Sequence, residues 1–138
     1  MISIQEALKI HNEEQLLTVY RELSSEIDTK LAPLNQSLNL DISNEVAKIL
    51  PDATFVQSYR SLLVDYAAIM KALVNIAKGH LVLPDKKENG HTDKDREAYV
   101  KSISSVFVAM EYMLEEKIRC VDERINLCKR MLGLEVNA

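Results

Sequence analysis

A chain of 138 residues, 47% hydrophobic and 28% charged, has the size of one domain and enough apolar side chain to bury roughly two-thirds of its unfolded surface, which excludes global disorder. Three Gly, three Pro, no Trp and only five Tyr and two Phe are poor material for a many-turned β-sandwich or barrel, so the chain reads as all-α. A net charge of -4 argues against sequence-blind binding to polyanions.

A first short helix is expected from Ser3, with Ile4, Leu8 and Ile10 as its apolar side. Asn12 then caps a second, whose Glu13 and Glu14 face the positive end of the macrodipole. Leu16, Val19, Tyr20, Leu23, Ile27 and Leu31 repeat at steps of three and four, which predicts an amphipathic helix ending near Pro33. A short helix over 43–50 should place Val46, Ile49 and Leu50 on one side, with Pro51 closing it.

Asp52 can cap the next helix, in which Phe55, Tyr59, Leu62, Tyr66, Ile69, Leu73 and Ile76 form a stripe that fits a 3.5-residue heptad as well as 3.6. Gly79 reads as the residue just past its end, and Pro84 through Thr92 as the connecting loop. The last helix starts at Thr92. Ile103, Phe107, Met110, Leu114, Ile118, Val121, Ile125, Cys128 and Leu132 then recur at about 3.6 residues, and no breaker appears before Gly133. Some 40 residues span about 60 Å, so part of this helix is expected to project beyond its own bundle, where another copy of the chain would cover it. The expected architecture is thus a single helical domain over 1–138, a bundle with short N-terminal helices over 1–51 packed across a long antiparallel pair, 52–78 and 93–132, joined by the 79–92 loop.

Catalytic and metal constellations are scarce. His11, His80 and His91 are scattered, and a His80, His91, Asp93 site lacks any spacing that would hold it, so these read as surface or helix-end histidines. Cys120 and Cys128 lie about 12 Å apart along one helix, too far for a mutual disulfide, and Cys128 continues the apolar stripe. Glu115, Glu116, Asp122 and Glu123 alternate with Lys117, Arg119, Arg124, Lys129 and Arg130 as an exposed ion-paired face. The one Glu-x-x-His spacing, Glu88 to His91, falls in the central loop and not on facing helices, and there is no P-loop, GxGxxG, GxSxG or HExxH. No enzyme, metal or cofactor is therefore expected.

Charge is uneven along the chain. The first 58 residues sum to -5, residues 59–101 to +2 and the remainder to -1, as counted from the sequence. Lys71, Lys78, Lys86, Lys87, Lys94 and Arg96 bracket the central loop, where a phosphate-bearing ligand would sit most comfortably. Balance by Asp85, Glu88, Asp93, Asp95 and Glu97 makes a solvated loop the simpler reading, and Tyr99 is the sole base-stacking candidate there. No apolar run reaches a membrane span and the N-terminus lacks signal-peptide character, which predicts a cytoplasmic protein with no membrane partner. The leading expectation is a non-enzymatic homo-oligomer with a protein partner, its oligomer or core seam formed by Tyr59, Leu62, Tyr66, Ile69 and Leu73 with Ile103, Phe107, Met110, Leu114, Ile118, Val121 and Ile125. The alternative is a nucleic-acid or nucleotide-phosphate binding accessory protein that uses the basic region.

Overall fold

The computed structural model describes residues 1–10, 12–80 and 93–134, without the side chains of Ile4, His80, Asp93 and Arg96. Among these the chain is all-α, with α1 (Ile4–Ala7), α2 (Glu13–Leu38), α3 (Val46–Gln57), α4 (Arg60–His80) and α5 (Asp93–Met131). Local chemistry sets several ends as the residue types require. The Ser3 hydroxyl accepts from the Glu6 amide at 3.1 Å, and the Asn12 side chain accepts from the Gln15 amide at 2.8 Å, each satisfying a donor left orphaned at a helix start. At the other terminus Gly133 takes φ 71°. Its amide donates to the Arg130 carbonyl and the Leu134 amide to the Lys129 carbonyl, which is the Schellman closure.

Neither interior proline stops its helix. Pro33 lies inside α2, which runs on to Leu38 rather than ending near residue 33, and Pro51 lies inside α3 rather than closing it. Both prolines are exposed, as are Thr29 and Ala47, whose carbonyls lose their i+4 donors, so water can satisfy the freed acceptors. Burial of Leu31 and Leu34 on the inner face of α2 then outweighs the lost bond. Gly79 likewise sits inside the last turn of α4 and not beyond it.

The helix expected over 52–78 is instead two. Between α3 and α4 the amides of Ser58 and Tyr59 donate three residues back, to the carbonyls of Phe55 and Val56, and the Ser58 hydroxyl donates to the Phe55 carbonyl at 2.6 Å. This tightened turn divides the two helices at residues 58–59.

The long helices run side by side with constant register. Tyr99 of α5 bonds Glu13 at a separation of 86 residues, and Arg124 reaches the Leu40 carbonyl at a separation of 84, so α2 runs parallel to α5 rather than across it. Arg60 of α4 pairs with Asp122 of α5 at 2.9 Å, whereas Lys78 lies beside Glu97 and Lys101, so α4 and α5 are the antiparallel pair. One core joins them. It holds Leu16, Leu23, Ile27, Leu31 and Leu34 of α2, Leu63, Tyr66, Ile69, Met70, Leu73, Val74, Ile76 and Ala77 of α4, and Ile103, Phe107, Leu114 and Val121 of α5, with Tyr20 edge-on to Phe107 at 5.2 Å. A second, smaller cluster of Ile49, Ala53 and Cys128, flanked by Ile42 and Leu132, packs α3 onto the end of α5. Consequently α5 is covered by α4 and then α3 of its own chain, where part of it was expected to project beyond the bundle.

Candidate interaction surface

The seam residues are core residues within one chain. Tyr66, Ile69, Leu73, Ile103, Phe107, Leu114 and Val121 are buried, and Tyr59, Leu62, Met110, Ile118 and Ile125 are partly buried against them. Of the basic candidates, Lys71 and Lys94 are exposed. Lys78 lines a hollow of about 500 Å³ with Lys101, Glu97, Val100, Ser104 and Val108, so the fold brings one lysine from each long helix together and leaves Lys71 and Lys94 out. Lys86, Lys87, the side chain of Arg96, and the His80, His91, Asp93 constellation lie outside the described residues.

Partly buried titrating groups on the described elements are used as clasps between helices. Tyr66 donates to a Glu26 carboxylate oxygen at 2.7 Å, while the Met1 amine donates to the other at 3.0 Å. The Tyr66 bond, and then the amine, hold the Glu26 carboxyl below its ordinary range. Burial, and then the bond to Glu26, push the Tyr66 phenol upward. Tyr99 donates to Glu13 at 2.8 Å, and burial followed by this bond raises it to about 12. Both phenols therefore stay protonated at neutral pH and act as donors rather than bases. Among the described residues no three His, Cys, Asp or Glu side chains form a metal-binding group.

Arg124 departs from the surface role expected of it. Its guanidinium lies across the α3 end of the bundle, donating to both Asp52 oxygens at 2.7 and 2.8 Å and to the Leu40 carbonyl at 2.7 Å. One fork thus ties α5 to α3 and to the α2–α3 connection. Arg119, by contrast, forms the expected surface network with Glu116 and Glu123. Cys128 is buried beneath α3 and Cys120 is partly exposed, both as free thiols; burial, and then the Asp52 charge, raise the Cys128 thiol.

At this same end the molecule exposes apolar surface. On α3, Ile49, Ala53 and Val56 turn inward and are buried, yet Val46 is 71% exposed, Leu50 59% and Phe55 39%. Val46, Ile49 and Leu50 share one side of the helix as expected, at steps of three and four, but only the Ile49 edge of that side is covered and Val46 and Leu50 are left exposed. Leu40 in the α2–α3 connection, at 67%, and Leu127 on α5 are exposed as well. Both line a groove of about 540 Å³ with Leu38, Ile42, Met113 and Cys120. The sequence signal for this surface was the distribution of apolar residues around α3, which exceeds one stripe and is the pattern of a helix covered on more than one side. No protein-family model, curated protein or solved structure matches this chain.

Proposed function

We propose that the chain is a non-enzymatic helical interaction protein, an adaptor or inhibitor of a larger assembly, that acts in the cytoplasm as a homo-oligomer. The observation that carries this reading is α3, apolar both where it packs on α5 and where it faces outward. Clustered exposed apolar side chains are characteristic of a protein-binding site. Consistent with a binding role, the hydroxyl and carboxylate pairs join helices and are not arranged as nucleophile and base. Native mass spectrometry of the purified protein, followed by pull-down with the intact chain, tests the reading. An oligomer that captures a defined protein partner supports it, and a monomer that captures none at high micromolar concentration counts against it.

The second reading, binding of a nucleotide or nucleic-acid phosphate, is favoured by Lys78 and Lys101 meeting around one hollow. Glu97 in the same lining offsets part of their charge. It predicts salt-sensitive retention of nucleotide that is lost when Lys78 and Lys101 are both changed to Glu. Retention indifferent to that change rejects it.

A further inference from the structure

We infer that the hollow between α4 and α5 is a site for a small monocarboxylate with an aliphatic body. The inference rests on the second reading above only in taking this hollow as an anion site, and it names a different anion from a nucleotide phosphate. The hollow, about 500 Å³ and lined by Lys78, Glu97, Val100, Lys101, Ser104 and Val108, lies within the roughly 300–1,000 Å³ of small-molecule sites.

One row of α5 forms its apolar wall. Val100, Ser104 and Val108 follow one another at steps of four, so they share a face of the helix. Val100 is buried, and Ser104 is buried although polar, at 4% exposure. The Ser104 hydroxyl donates back to the Lys101 carbonyl at 3.3 Å, longer than the roughly 2.5–3.0 Å of a well-made hydroxyl bond. A hydroxyl turns to suit its acceptor, so a carboxylate in the hollow offers this buried group a stronger bond than its own helix does.

Charge selects among ligands. Two ammonium groups against one carboxylate leave one positive charge in excess among the described lining residues, which a monoanion neutralises and a nucleotide with two or more negative charges overshoots. Glu97 and Lys101 stand one turn apart on α5, yet neither forms an ion pair among the described residues. The Lys101 ammonium is thus available to a ligand in the hollow. A nucleotide base gains most of its affinity from an aromatic face, and the described lining has none. Tyr99 instead lines a separate hollow with Leu17 and Arg21 and donates its hydroxyl to Glu13. An amine would meet two like charges. An aliphatic carboxylate matches each part of the site, its charge held by Lys101, Lys78 and the Ser104 hydroxyl and its body lying against Val100 and Val108.

Calorimetric titration of the full chain with octanoate, octylammonium, inorganic phosphate and adenosine monophosphate, joined to amide shift mapping of the labelled protein, tests this. Octanoate should bind with its largest shifts over residues 97–108, and octylammonium at least tenfold more weakly. Lys101→Met, at an exposed position, should weaken octanoate at least fivefold with the melting temperature unchanged, and Ser104→Ala severalfold. Lys30→Met, on the exposed side of α2, should leave binding as it is. Phosphate or the nucleotide bound at these residues in preference to octanoate overturns the carboxylate assignment and leaves the phosphate reading standing, whereas no anion bound at all overturns both. Octanoate held at the exposed apolar side chains of α3, or bound equally well by Lys101→Met, is adsorption to apolar surface and overturns the site.

Discussion

Tyr66 shows how a polar atom enters this core without a catalytic purpose. Its ring is buried among apolar neighbours, so its hydroxyl must find an acceptor, and Glu26 of α2 supplies one at 2.7 Å. The directions of the two shifts define a pH window. Glu26 is held low in the folded state, so its contribution is present above the ordinary carboxylate value of 4.5 and is lost as pH falls through the folded one. Tyr66 is held high, so its contribution is complete below the unfolded phenol value of 10.0 and is lost as pH rises through the folded one. Tyr66→Phe should lower stability by about 1 kcal/mol at neutral pH, measured by urea unfolding. The same variant should lose less stability between neutral pH and alkali than the wild type does. Tyr99, raised to about 12 by burial and then Glu13, sustains the alkaline loss that remains. An unchanged alkaline slope would place the proton linkage elsewhere.

Helix ends carry a matched pair of tests. Gly79 lies within α4 and a Cβ there meets nothing within 4 Å, so Gly79→Ala should stabilise the protein by about 1 kcal/mol through helix propensity and a more restricted unfolded chain. Gly133 has equally open surroundings but φ +71°, so Gly133→Ala should cost about 1 kcal/mol. Equal effects of the two substitutions in thermal melts would refute this account. The sequence could place Gly133 because an unbroken 3.6-residue stripe runs up to it, and could place Asn12 because a capping side chain precedes two acids. It misplaced Gly79, Pro33 and Pro51 for one reason. A breaker stops a helix only when tertiary packing does not compensate, and the packing that carries α2 past Pro33 comes from α4 and α5, far away in sequence. The same holds for the candidate site. The apolar side of Val46, Ile49 and Leu50 was legible, but which of them would be left uncovered depended on α5 reaching Ile49 and Ala53, and on the break at residues 58–59 that divides α3 from α4.

Among the described residues the molecule has a large core built mainly from α2, α4 and α5, which Val56 at the end of α3 also joins, and a small one that holds the rest of α3 to the end of α5. With few buried apolar residues of its own, α3 should open at lower free energy than the rest, in the manner of a separate cooperative unit. What keeps it shut is the Arg124 fork to Asp52, whose side chains are only 11% and 19% exposed. Removing one partner of such a pair leaves the other poorly solvated and costs on the order of 2 kcal/mol. Cys128 reports the opening directly, because α3 covers it. In a Cys120→Ser background, which removes the partly exposed thiol, a disulfide reagent should modify Cys128 slowly in native buffer and faster than global unfolding allows. Arg124→Ala should then accelerate the modification about 30-fold, the equivalent of about 2 kcal/mol, with the far-UV spectrum unchanged. Modification limited by global unfolding in both proteins would mean that α3 is an integral part of the main core. Acceleration by Arg124→Ala alone would instead identify that fork as the device that holds a helix with two apolar faces on its own bundle and turns the second face outward.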